Sequence, residues 1–372
     1  MDPTPAAPAV KPQAIPLSEL RRALVIKLRH HGDVLLASPV FSALKAAAPH
    51  CELDALIYAD TRPMLAGHPD IARIHTIDRE WKRRGLLGQA RAELALFHQL
   101  RQRGYELVIH LTDHWRGAWL VRSLRPRVSV ALLPTLRPPS RFWQGSFTHR
   151  APLPPLGNRH TVECHLDALR ALGWQPPMDM RRLVFRAGEA ARTAIAALLA
   201  THDVAPERMI HIHPASRWIF KSWTAAGFAE LISSLAEQGF RPVVTCGPAA
   251  REKSFVAHIL SQCRHPPVDL SGRLTIEELG ALIGMARLSI CVDSVPMHLA
   301  AAVGTPVVAL FGPSNEKEWG PWQVPHRVLT APHSCRPCRL DGCGGSKVSD
   351  CLSAIPPAEV LAAVHDLLAR TA

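Results

Sequence analysis

The alternation of short apolar runs with stretches of helical periodicity constrains the fold of this chain more than any other feature. In the first half, apolar runs at 23–28, 53–57 and 107–111 predict buried strands, and residues 86–103 carry helical spacing between the second and the third. The second half contains four further predicted strands, at 209–213, 242–246, 288–292 and 306–311. Strands that alternate with helices build parallel sheets, so the sequence predicts an α/β fold with two doubly wound domains.

Proline-rich segments predict the domain boundaries. Prolines recur at positions 3, 5, 8, 12 and 16 and remove backbone donors, so residues 1–20 are expected to form a flexible tail. The pair Pro176-Pro177 stops helices and strands alike and marks a linker. We therefore expect a first domain at 21–177, a second at 178–352, and a C-terminal helix at 353–372 that packs back across the domains. Residues 134–160, which are also rich in proline, are expected to form a long functional loop.

The composition excludes several classes of protein. A chain of 372 residues can bury a large core, which excludes a small disulfide-stapled protein. No apolar run approaches the roughly 20 residues that span a bilayer, which excludes an integral membrane protein. The first residues lack the basic and apolar segments of a secretory signal, so a cytoplasmic location is expected. The 43 Lys and Arg against 31 Asp and Glu give a net charge of +12, which favours a polyanionic partner: a nucleic acid, an acidic membrane or a phosphorylated substrate.

A Gly-Asp pair follows the first predicted strand. Gly32 and Asp33 lie in a predicted turn between that strand and a helix. In an open α/β sheet, ligands bind beyond the carboxyl ends of the strands, which places this carboxylate at a crevice. An ionised Asp33 there can accept a proton from a hydroxyl group. Capping of the following helix is the alternative role for the same residue.

The first loop of the second half carries groups suited to a phosphate. Ser216 and Lys221 follow the strand at 209–213 and precede a helix. A hydroxyl, an ammonium group and the free N–H groups of a helix start together favour an anion. An ordinary solvated position is the alternative for Lys221.

A second strand-to-helix turn has the same character. Asp293 and Ser294 follow the strand at 288–292, and His298 lies one helical turn further on. Helix capping by Asp293 or Ser294, and a buried structural role for His298, are the alternatives. Together with Gly312-Pro313, these loops predict a cleft between two α/β units, with a nucleotide on the C-terminal one.

Four of the nine cysteines crowd near the C-terminus. They follow the pattern Cys-x2-Cys-x4-Cys-x7-Cys and are Cys335, Cys338, Cys343 and Cys351. The odd total excludes a disulfide framework through the whole chain. Four thiolates close a tetrahedral shell, so the loop is a candidate structural zinc site, with free thiols as the alternative. A catalytic zinc ion is not expected, because no coordination position would stay open.

Several of these segments, in this order, resemble glycosyltransferase family 9, the lipopolysaccharide heptosyltransferases. The resemblance spans about residues 21–352 and is carried by Gly32-Asp33, residues 213–223, Gly247-Pro248 with Glu252, Asp293-Ser294 through His298, Gly304-Thr305-Pro306 and Phe311-Gly312-Pro313. The run Leu111-Thr112-Asp113-His114-Trp115 further resembles the heptosyltransferase III branch. Many relatives have Thr-Gly after the aspartate where this chain has Ser294-Val295, which keeps the hydroxyl but loses the freedom of the glycine.

The resemblance implies a GT-B architecture, in which two Rossmann-like domains face each other across a cleft. It implies inverting transfer of heptose from ADP-L-glycero-D-manno-heptose to the inner core of lipopolysaccharide, with no catalytic metal and no further cofactor. Asp33 would be the general base, and Lys221 would stabilise the charge on the departing ADP. The donor contacts that it implies are Ser216 and Lys221 at the diphosphate, Glu252 at the ribose, Leu274 near the adenine, and Asp293, Ser294 and His298 at the diphosphate and the sugar.

The resemblance also gives the basic charge a role. It implies a phosphorylated lipid A–core acceptor in the inner leaflet, and hence an enzyme in peripheral contact with the cytoplasmic face of the inner membrane, with no nucleic acid partner. Asp113 and Arg116 are the candidate acceptor contacts in the first domain. The neighbouring arginines are Arg122, Arg125, Arg127, Arg137 and Arg141, for which solvated surface positions are the alternative.

Two other functions remain open from the sequence. A GT-B enzyme that uses another nucleotide sugar, either a transferase or an epimerase, would share this fold, because the shape of the pocket selects the sugar. A basic nucleic-acid-binding protein with a zinc loop would instead show binding that weakens steeply with salt. A Rossmann oxidoreductase is disfavoured, since neither half carries G-x-G-x-x-G in its first turn.

Overall fold

Two parallel six-stranded sheets form the frame of the protein. The computed structural model describes residues 16–134 and 139–371. The strands of the first domain are β1 (Arg22–Ile26), β2 (Glu52–Tyr58), β3 (Ile71–Ile77), β4 (Leu107–His110), β5 (Val128–Leu132) and β6 (His149–Ala151). They lie in the order β3-β2-β1-β4-β5-β6, with all neighbours parallel. The chain thus winds outwards from β1 in both directions, as expected for a doubly wound sheet.

Helices cover both faces of the first sheet. They are α1 (His31–Leu35), α2 (Ser38–Ala47), α3 (Gly85–Arg103), α4 (Trp115–Leu124), α5 (Arg141–Gln144) and α6 (Thr161–Arg170). Side chains of β1 alternate between the faces: Val25 packs with α1, α2 and α6, whereas Leu24 packs with α3, α4 and α5. Both faces of the strands are therefore apolar, which explains why they read as continuous hydrophobic runs.

The second domain repeats this plan. Its strands are β7 (Met209–His213), β8 (Arg241–Val244), β9 (Val268–Asp269), β10 (Leu288–Val292), β11 (Val307–Leu310) and β12 (His326–Leu329), in the order β12-β11-β10-β7-β8-β9. Its helices are α7 (Glu189–Thr201), α8 (Ala225–Glu237), α9 (Ala250–Leu260), α10 (Ile276–Met285), α11 (Val295–Val303), α12 (Glu316–Trp319), α13 (Asp350–Ser353) and α14 (Pro357–Arg370). Helices α8, α9 and α14 cover one face, and α7, α10 and α11 cover the other. The predicted α/β fold with two parallel sheets is confirmed.

The two domains share a continuous apolar core. Helix α1 of the first domain packs against α11 of the second. Phe185 sits between the domains, since a Cβ atom at Gly280 of α10 would overlap its ring. The backbone N–H of Val184 donates a hydrogen bond to Ser38 Oγ at 2.9 Å, so the chain is still attached to α2 there. It enters the second domain only with α7, several residues beyond the predicted boundary at 177.

At both ends of the described chain, the packing differs from what the sequence predicted. Leu17 and Leu20 are buried in the core of the first domain, so the last residues of the predicted 1–20 tail are structured, while residues 1–15 lie outside the described residues. Helix α14 packs on α8, β11 and β12 of its own domain, where Val360 and Val364 are fully buried. This packing differs from the expectation that the helix packs back across the domains, because its apolar face packs against the second domain.

The predicted elements agree with the observed ones where the apolar pattern is strong. Strands β7 and β10 have the predicted bounds, and α3 begins one residue earlier than predicted. Pro39 lies in the first turn of α2, after a break that separates this helix from α1. The proline-rich segment 134–160 is more structured than expected: it contains α5 and β6, although residues 135–138 lie outside the described residues.

A buried polar network crosses the second sheet. His211 of β7 is fully buried, with Nδ1 2.7 Å from Ser289 Oγ of β10 and Nε2 2.8 Å from Thr245 Oγ1 just beyond β8. The Thr245 hydroxyl is also 2.8 Å from Nδ1 of His213. Burial lowers the pKa of His211 well below its ordinary value and lowers that of His213 to about 3. Both imidazoles are therefore neutral at physiological pH.

None of the helices within residues 16–134 and 139–371 combines the length and the hydropathy that crossing a membrane requires.

The substitution Gly117→Ala tests the packing of α4 on the first sheet. A Cβ atom at Gly117 would overlap the ring of His110, which is fully buried and stacked on Phe147 with 5.5 Å between ring centroids. We expect Gly117→Ala to lower the free energy of unfolding by about 1–3 kcal/mol, as overpacked core positions do. Urea denaturation measures this change.

The matched control is Gly284→Ala, which places the same methyl group in α10. The nearest atom to that methyl group is Val303 Cβ at 3.7 Å, an ordinary contact. Helix propensity should then raise the stability by up to about 1 kcal/mol. If both variants were equally stable, the close packing of α4 against His110 would be contradicted.

Candidate active site

A cavity of about 760 Å³ lies between the two domains. The first domain lines it with segments that follow β1, β4 and β5, and the second domain lines it with segments that follow β7 and β11. Because all strands are parallel, these segments lie at the carboxyl ends of the two sheets, where open α/β sheets bind their ligands. The cavity therefore corresponds to the cleft predicted from the sequence.

Asp33 lies at this cavity in the first turn of α1. Its side chain is 22% exposed, and its nearest ion-pairing atom is Lys27 Nζ, 3.9 Å from Oδ1. The residue before α1, His30, makes no side-chain capping bond, and among the described residues no hydrogen bond is made to the Asp33 carboxylate. The structure thus gives no support to a capping role for Asp33. Its carboxylate is available to a hydroxyl group in the cavity.

A buried lysine lies beneath Asp33. Lys27 is 5% exposed, and Nζ donates hydrogen bonds to the carbonyl oxygen of Leu111 at 3.1 Å and to Nε2 of His165 at 2.8 Å. His165 Nδ1 lies 3.0 Å from the carbonyl oxygen of Leu36 and donates to it, which leaves Nε2 as the acceptor. Burial lowers the pKa of Lys27 to about 8, against the opposing effect of Asp33. The Lys27 ammonium group is therefore a fixed charge under the candidate base.

Lys221 approaches the cavity from the other domain. It ends a 3-10 turn at Ile219–Lys221, and Nζ lies 2.6 Å from Oδ2 of Asp293, the residue that follows β10. Asp293 is 8% exposed, so this ion pair is largely shielded from solvent. A solvated surface position for Lys221 is contradicted by this contact. Lys221 lines the same cavity as Asp33.

His298 stands at the junction between these two groups. It is 4% exposed, and its Nδ1 atom has no hydrogen-bond partner among the described residues. Burial lowers its pKa to about 4, while Asp293 and Asp33 act in the opposite direction. A Cβ atom at Gly32 would lie 3.0 Å from His298 Cδ2, so a larger residue there would require the His298 ring to move by a few tenths of an ångström. His298 is thus a neutral, incompletely bonded imidazole next to the cavity.

The remaining predicted donor residues follow neighbouring strands of the second sheet. They are Ser216 after β7, Glu252 after β8, Leu274 after β9 and Ser294 after β10. Ser216 Oγ accepts a hydrogen bond from the N–H of Trp218 at 3.2 Å, and Glu252 Oε2 accepts one from the N–H of Gly247 at 3.0 Å. Ser294 Oγ donates to the carbonyl oxygen of Val292 at 3.2 Å, whereas Leu274 is half-buried in front of α10. These residues share the carboxyl edge of the sheet but do not line the cavity around Asp33.

The two predicted acceptor contacts are separated in the structure. Asp113 lines the cavity, and its Oδ1 lies 3.7 Å from Nη2 of Arg29. Arg116 points elsewhere and bonds to Oε1 of Glu93 on α3 at 2.8 Å. Among the other arginines of this cluster, Arg122 bonds to Ser146, whereas Arg137 lies outside the described residues. Of the two predicted contacts, only Asp113 is brought together with Asp33 and Lys221.

The cysteine loop forms no metal site in the described part of the chain. No group of three or more His, Cys, Asp or Glu side chains there is arranged so that it could hold a metal ion. Cys335 is exposed, Cys338 and Cys343 are half-buried, and Cys351 is buried beside Gly312. The arrangement of the four thiols in the described residues therefore does not support the structural zinc hypothesis.

Several residues at the cavity escaped the sequence analysis. Lys27 follows β1 and His165 lies in α6, and both are surrounded in the sequence by apolar residues. The one signal for Lys27 was a charged residue within a predicted buried strand. Arg29, Arg159 and Arg339 also line the cavity, and each of them is paired with an acidic side chain. Arg159 and Arg339 come from loops whose approach to the cavity depends on tertiary packing.

Comparison with known proteins identifies what the chain is similar to. Residues 93–348 match the family model described as Glycosyltransferase family 9 (heptosyltransferase). The chain is 36% identical over 349 residues to Lipopolysaccharide heptosyltransferase 3 of Escherichia coli (strain K12). The matched region covers 93% of this chain and 97% of that protein.

Solved structures share the fold. The glycosyl transferase family 9 protein from Veillonella parvula superposes with a TM-score of 0.82 at 22% identity, covering 97% of this chain and all of that one (100%). The E. coli heptosyltransferase WaaC with ADP superposes with a TM-score of 0.71 at 20% identity, covering 94% of this chain and 100% of that one. At these identities the likeness establishes the architecture.

The buried charge of Lys27 makes a measurable contribution to the pH dependence of stability. The folded-state pKa of about 8 lies below the ordinary 10.5, so between these values the unfolded chain binds more protons than the folded chain. Stability should therefore rise with pH through this window. We expect Lys27→Met to remove about 2 kcal/mol of this rise between pH 8 and pH 10, measured by urea denaturation at each pH.

Lys82→Met is the matched control, because it removes an exposed lysine from the same domain. Its pH dependence should follow that of the wild type. Parallel curves for wild type and Lys27→Met would show that Lys27 is not held as a buried ammonium group.

Proposed function

The chain belongs to glycosyltransferase family 9, the heptosyltransferases, and on this basis we propose that it transfers heptose from ADP-L-glycero-D-manno-heptose to the inner core of lipopolysaccharide as the third core heptosyltransferase. The observation that carries the proposal is that Asp33 and Lys221, from opposite domains, line one cavity. A proton acceptor and a cation then flank the space in which an acceptor and a donor meet. The identity to heptosyltransferase 3 supports the assignment to the third transfer.

In the proposed reaction, the acceptor hydroxyl attacks the anomeric carbon of the heptose from the face opposite the ADP. The new glycosidic C–O bond forms while the bond between the anomeric carbon and the phosphate oxygen breaks. The hydroxyl proton moves to the carboxylate of Asp33, and ADP leaves with the bonding electrons. Attack from the opposite face inverts the anomeric centre.

Asp33 suits the role of general base because of its surroundings. Its carboxylate is partly exposed to the cavity, and among the described residues it makes no hydrogen bond that a substrate would have to displace. The Lys27 ammonium group lies 3.9 Å from this carboxylate. The hydrogen bonds to Leu111 and His165 fix Lys27 in place, so this charge does not have to reorganise during the reaction.

Lys221 suits stabilisation of the departing ADP. Its pairing with Asp293 at 2.6 Å orients the ammonium group, and the N–H groups at the start of α11 follow directly after Ser294. A helix start and an ammonium group together favour a diphosphate. We propose that these groups neutralise the leaving group without a divalent cation or another cofactor. The neutral imidazole of His298, which lies near Asp33 and Asp293, is suited to a hydrogen bond with the sugar or the diphosphate.

The other donor contacts follow the edge of the second sheet. Ser216, Glu252, Leu274 and Ser294 come after four strands that are neighbours in the order β10-β7-β8-β9. An extended nucleotide sugar lying along this edge would place its diphosphate near Ser216 and Ser294, and its adenosine near Glu252 and Leu274. The carboxylate of Glu252, which is 8% exposed, is suited to a ribose hydroxyl, and the half-buried Leu274 side chain is suited to an adenine face.

The acceptor would enter from the first domain. Asp113 is exposed in the cavity beside Arg29, so the pair offers both an acceptor for sugar hydroxyls and a cation for a core phosphate. The pairing of Arg116 with Glu93 assigns it instead to the contact between α3 and α4. We propose that the enzyme works at the cytoplasmic face of the inner membrane in peripheral contact with it, where such an acceptor resides, and that it has no nucleic acid partner.

A GT-B enzyme with another nucleotide sugar is the alternative that stays within this fold. Mass spectrometry of truncated lipopolysaccharide acceptors incubated with ADP-heptose distinguishes the two. One added heptose on a diheptosyl acceptor is the expected result. Failure to modify any acceptor with ADP-heptose, together with transfer from a different nucleotide sugar, would contradict the proposed donor.

Asp33→Asn tests the general base. The amide cannot take up the hydroxyl proton, so kcat should fall about 10²–10⁴-fold, while the affinity for ADP-heptose measured by calorimetry stays within about threefold. Asp203→Asn is the control, because Asp203 is exposed in a left-handed turn (φ 51°) that asparagine tolerates. Normal turnover by Asp33→Asn would exclude Asp33 as the base.

Lys221→Ala tests the leaving-group contact. Loss of the ammonium group should lower kcat/KM about 10²–10³-fold and also weaken ADP binding, because the same charge meets the diphosphate before and after transfer. Lys221→Arg keeps the charge and should recover part of this loss. Unchanged kinetics in the alanine variant would contradict the proposed contact.

A further inference from the structure

Exposed apolar side chains gather on one outer surface of the first domain. Leu86 and Leu87 begin α3 and are 88% and 89% exposed. On the neighbouring helix α4, Trp115 and Trp119 are 61% and 54% exposed and lie one helical turn apart, on the same face. Large apolar side chains that cluster in this way mark an interaction surface more often than scattered ones do.

Contacts between the helices make this surface continuous. The ion pair between Arg116 of α4 and Glu93 of α3, at 2.8 Å, places these helices side by side. Trp119 packs on Phe142 of α5 with 5.0 Å between the ring centroids. The opposite side of the same layer carries the buried residues Leu96 and Leu100, which pack on the sheet. The exposed apolar residues are therefore additional to the core face of these helices.

Basic side chains surround the apolar ones. Lys82 and Arg91 are exposed, and neither makes an ion pair or a hydrogen bond within the described residues. Burial lowers the pKa of His114, the residue before α4, and Lys82 lies near enough to add to this shift. The nearby acids are already paired: Glu80 with Arg83 at 2.6 Å and Asp78 with Arg84 at 3.2 Å. The surface consequently presents net positive charge.

The exposed apolar surface lies close to the cavity along the chain. Leu111, Thr112 and Asp113 line the cavity, and α4 begins two residues later at Trp115. A sugar chain anchored in a bilayer beside Trp115 would therefore have a short path to Asp113.

We propose that the N-terminal domain docks on an anionic lipid bilayer through this basic-apolar face, formed by Lys82, Leu86, Leu87, Arg91, Trp115 and Trp119. Tryptophan side chains favour the level of the lipid headgroups, leucines insert just below it, and lysine and arginine meet the lipid phosphates. Charge complementarity selects the bilayer over a second copy of this basic chain, whose own face would repel it. The inference rests on the proposed function only for the identity of the acceptor, since the face itself is independent of the reaction.

Cosedimentation with lipid vesicles tests the proposal. The wild type should bind vesicles of equimolar phosphatidylcholine and phosphatidylglycerol, and it should bind vesicles of phosphatidylcholine alone much more weakly. Lys82→Glu with Arg91→Glu should lower the partition coefficient on the anionic vesicles at least about tenfold, because each basic residue contributes separately. Leu86→Ser with Leu87→Ser should lower it about tenfold through lost insertion.

Two double variants serve as matched controls. Arg208→Glu with Arg287→Glu makes the same charge change at exposed positions near the amino ends of β7 and β10. Met178→Ser with Val348→Ser removes two exposed apolar side chains, 60% and 54% exposed, outside the proposed face. Both controls should bind anionic vesicles as the wild type does. Equal loss in the controls, or wild-type binding by both face variants, would overturn the proposal.

A transfer assay separates this inference from the proposed function. With a water-soluble, deacylated core acceptor, the face variants should turn over as fast as the wild type. With the lipid-anchored acceptor in anionic vesicles, their rates should fall about as far as their binding. A chain that binds vesicles through this face but transfers no heptose would contradict only the proposed function. Equal loss of transfer to the soluble acceptor would show that the face serves the reaction directly and would overturn its role in docking.

Discussion

The contact between α1 and α11 sets the geometry on which the rest of the site depends. Gly32 brings the backbone of the first domain against the His298 ring of the second, at a distance that leaves no room for a larger residue without displacement. Asp33 is the residue after Gly32. His298 lies in α11, which begins two residues after Asp293. One close packing contact therefore relates the two carboxylates and Lys221 to each other, although they belong to different domains.

The two lysines at the cavity are each held in place by neighbouring side chains or carbonyl groups. Lys221 is paired with Asp293, and Lys27 is held by Leu111 and His165. Burying an ammonium group is costly, as the lowered pKa of Lys27 records. The hydrogen bonds to Lys27 offset part of this cost. The Asp33 carboxylate lines the cavity and accepts no hydrogen bond within the described residues, which leaves it available as a proton acceptor.

The sequence predicts seven of the twelve described strands, where burial on both faces leaves an apolar run, and it misses β3, β5, β6, β9 and β12. Strands β7 and β10 could be bounded to the residue, whereas β3 escaped notice, because its edge position leaves Ala72 and Arg73 exposed and breaks the apolar run. The long segment around α5 and β6 escaped for a different reason: its prolines suggest a loop, and tertiary contacts order it.

The position of a residue in a turn after a strand predicted which residues lie near the cavity. The direction of each side chain could not be predicted from the sequence. Asp33, Lys221 and Asp113 do face one cavity, as their places after strands indicated. Arg116 is one turn of helix from Asp113, yet it is captured by Glu93 of another helix. Lys27 and His165 could not be paired from the sequence, because 138 positions separate them and only the docking of α6 on the sheet unites them.

The imidazole and hydroxyl groups inside the second sheet fix the alignment of its central strands. His211 lies between Ile210 and Ile212, which face the opposite, aliphatic side of β7. If β7 slid by a single residue, the ring would turn to that side and lose both Ser289 and Thr245, at a cost of about 1–3 kcal/mol for each buried group left unsatisfied. Apolar strands alone would tolerate such a slip more readily. The neutral histidine thus favours a single register of these strands. That register also fixes where the loops that carry Ser216, Asp293 and Ser294 lie relative to one another.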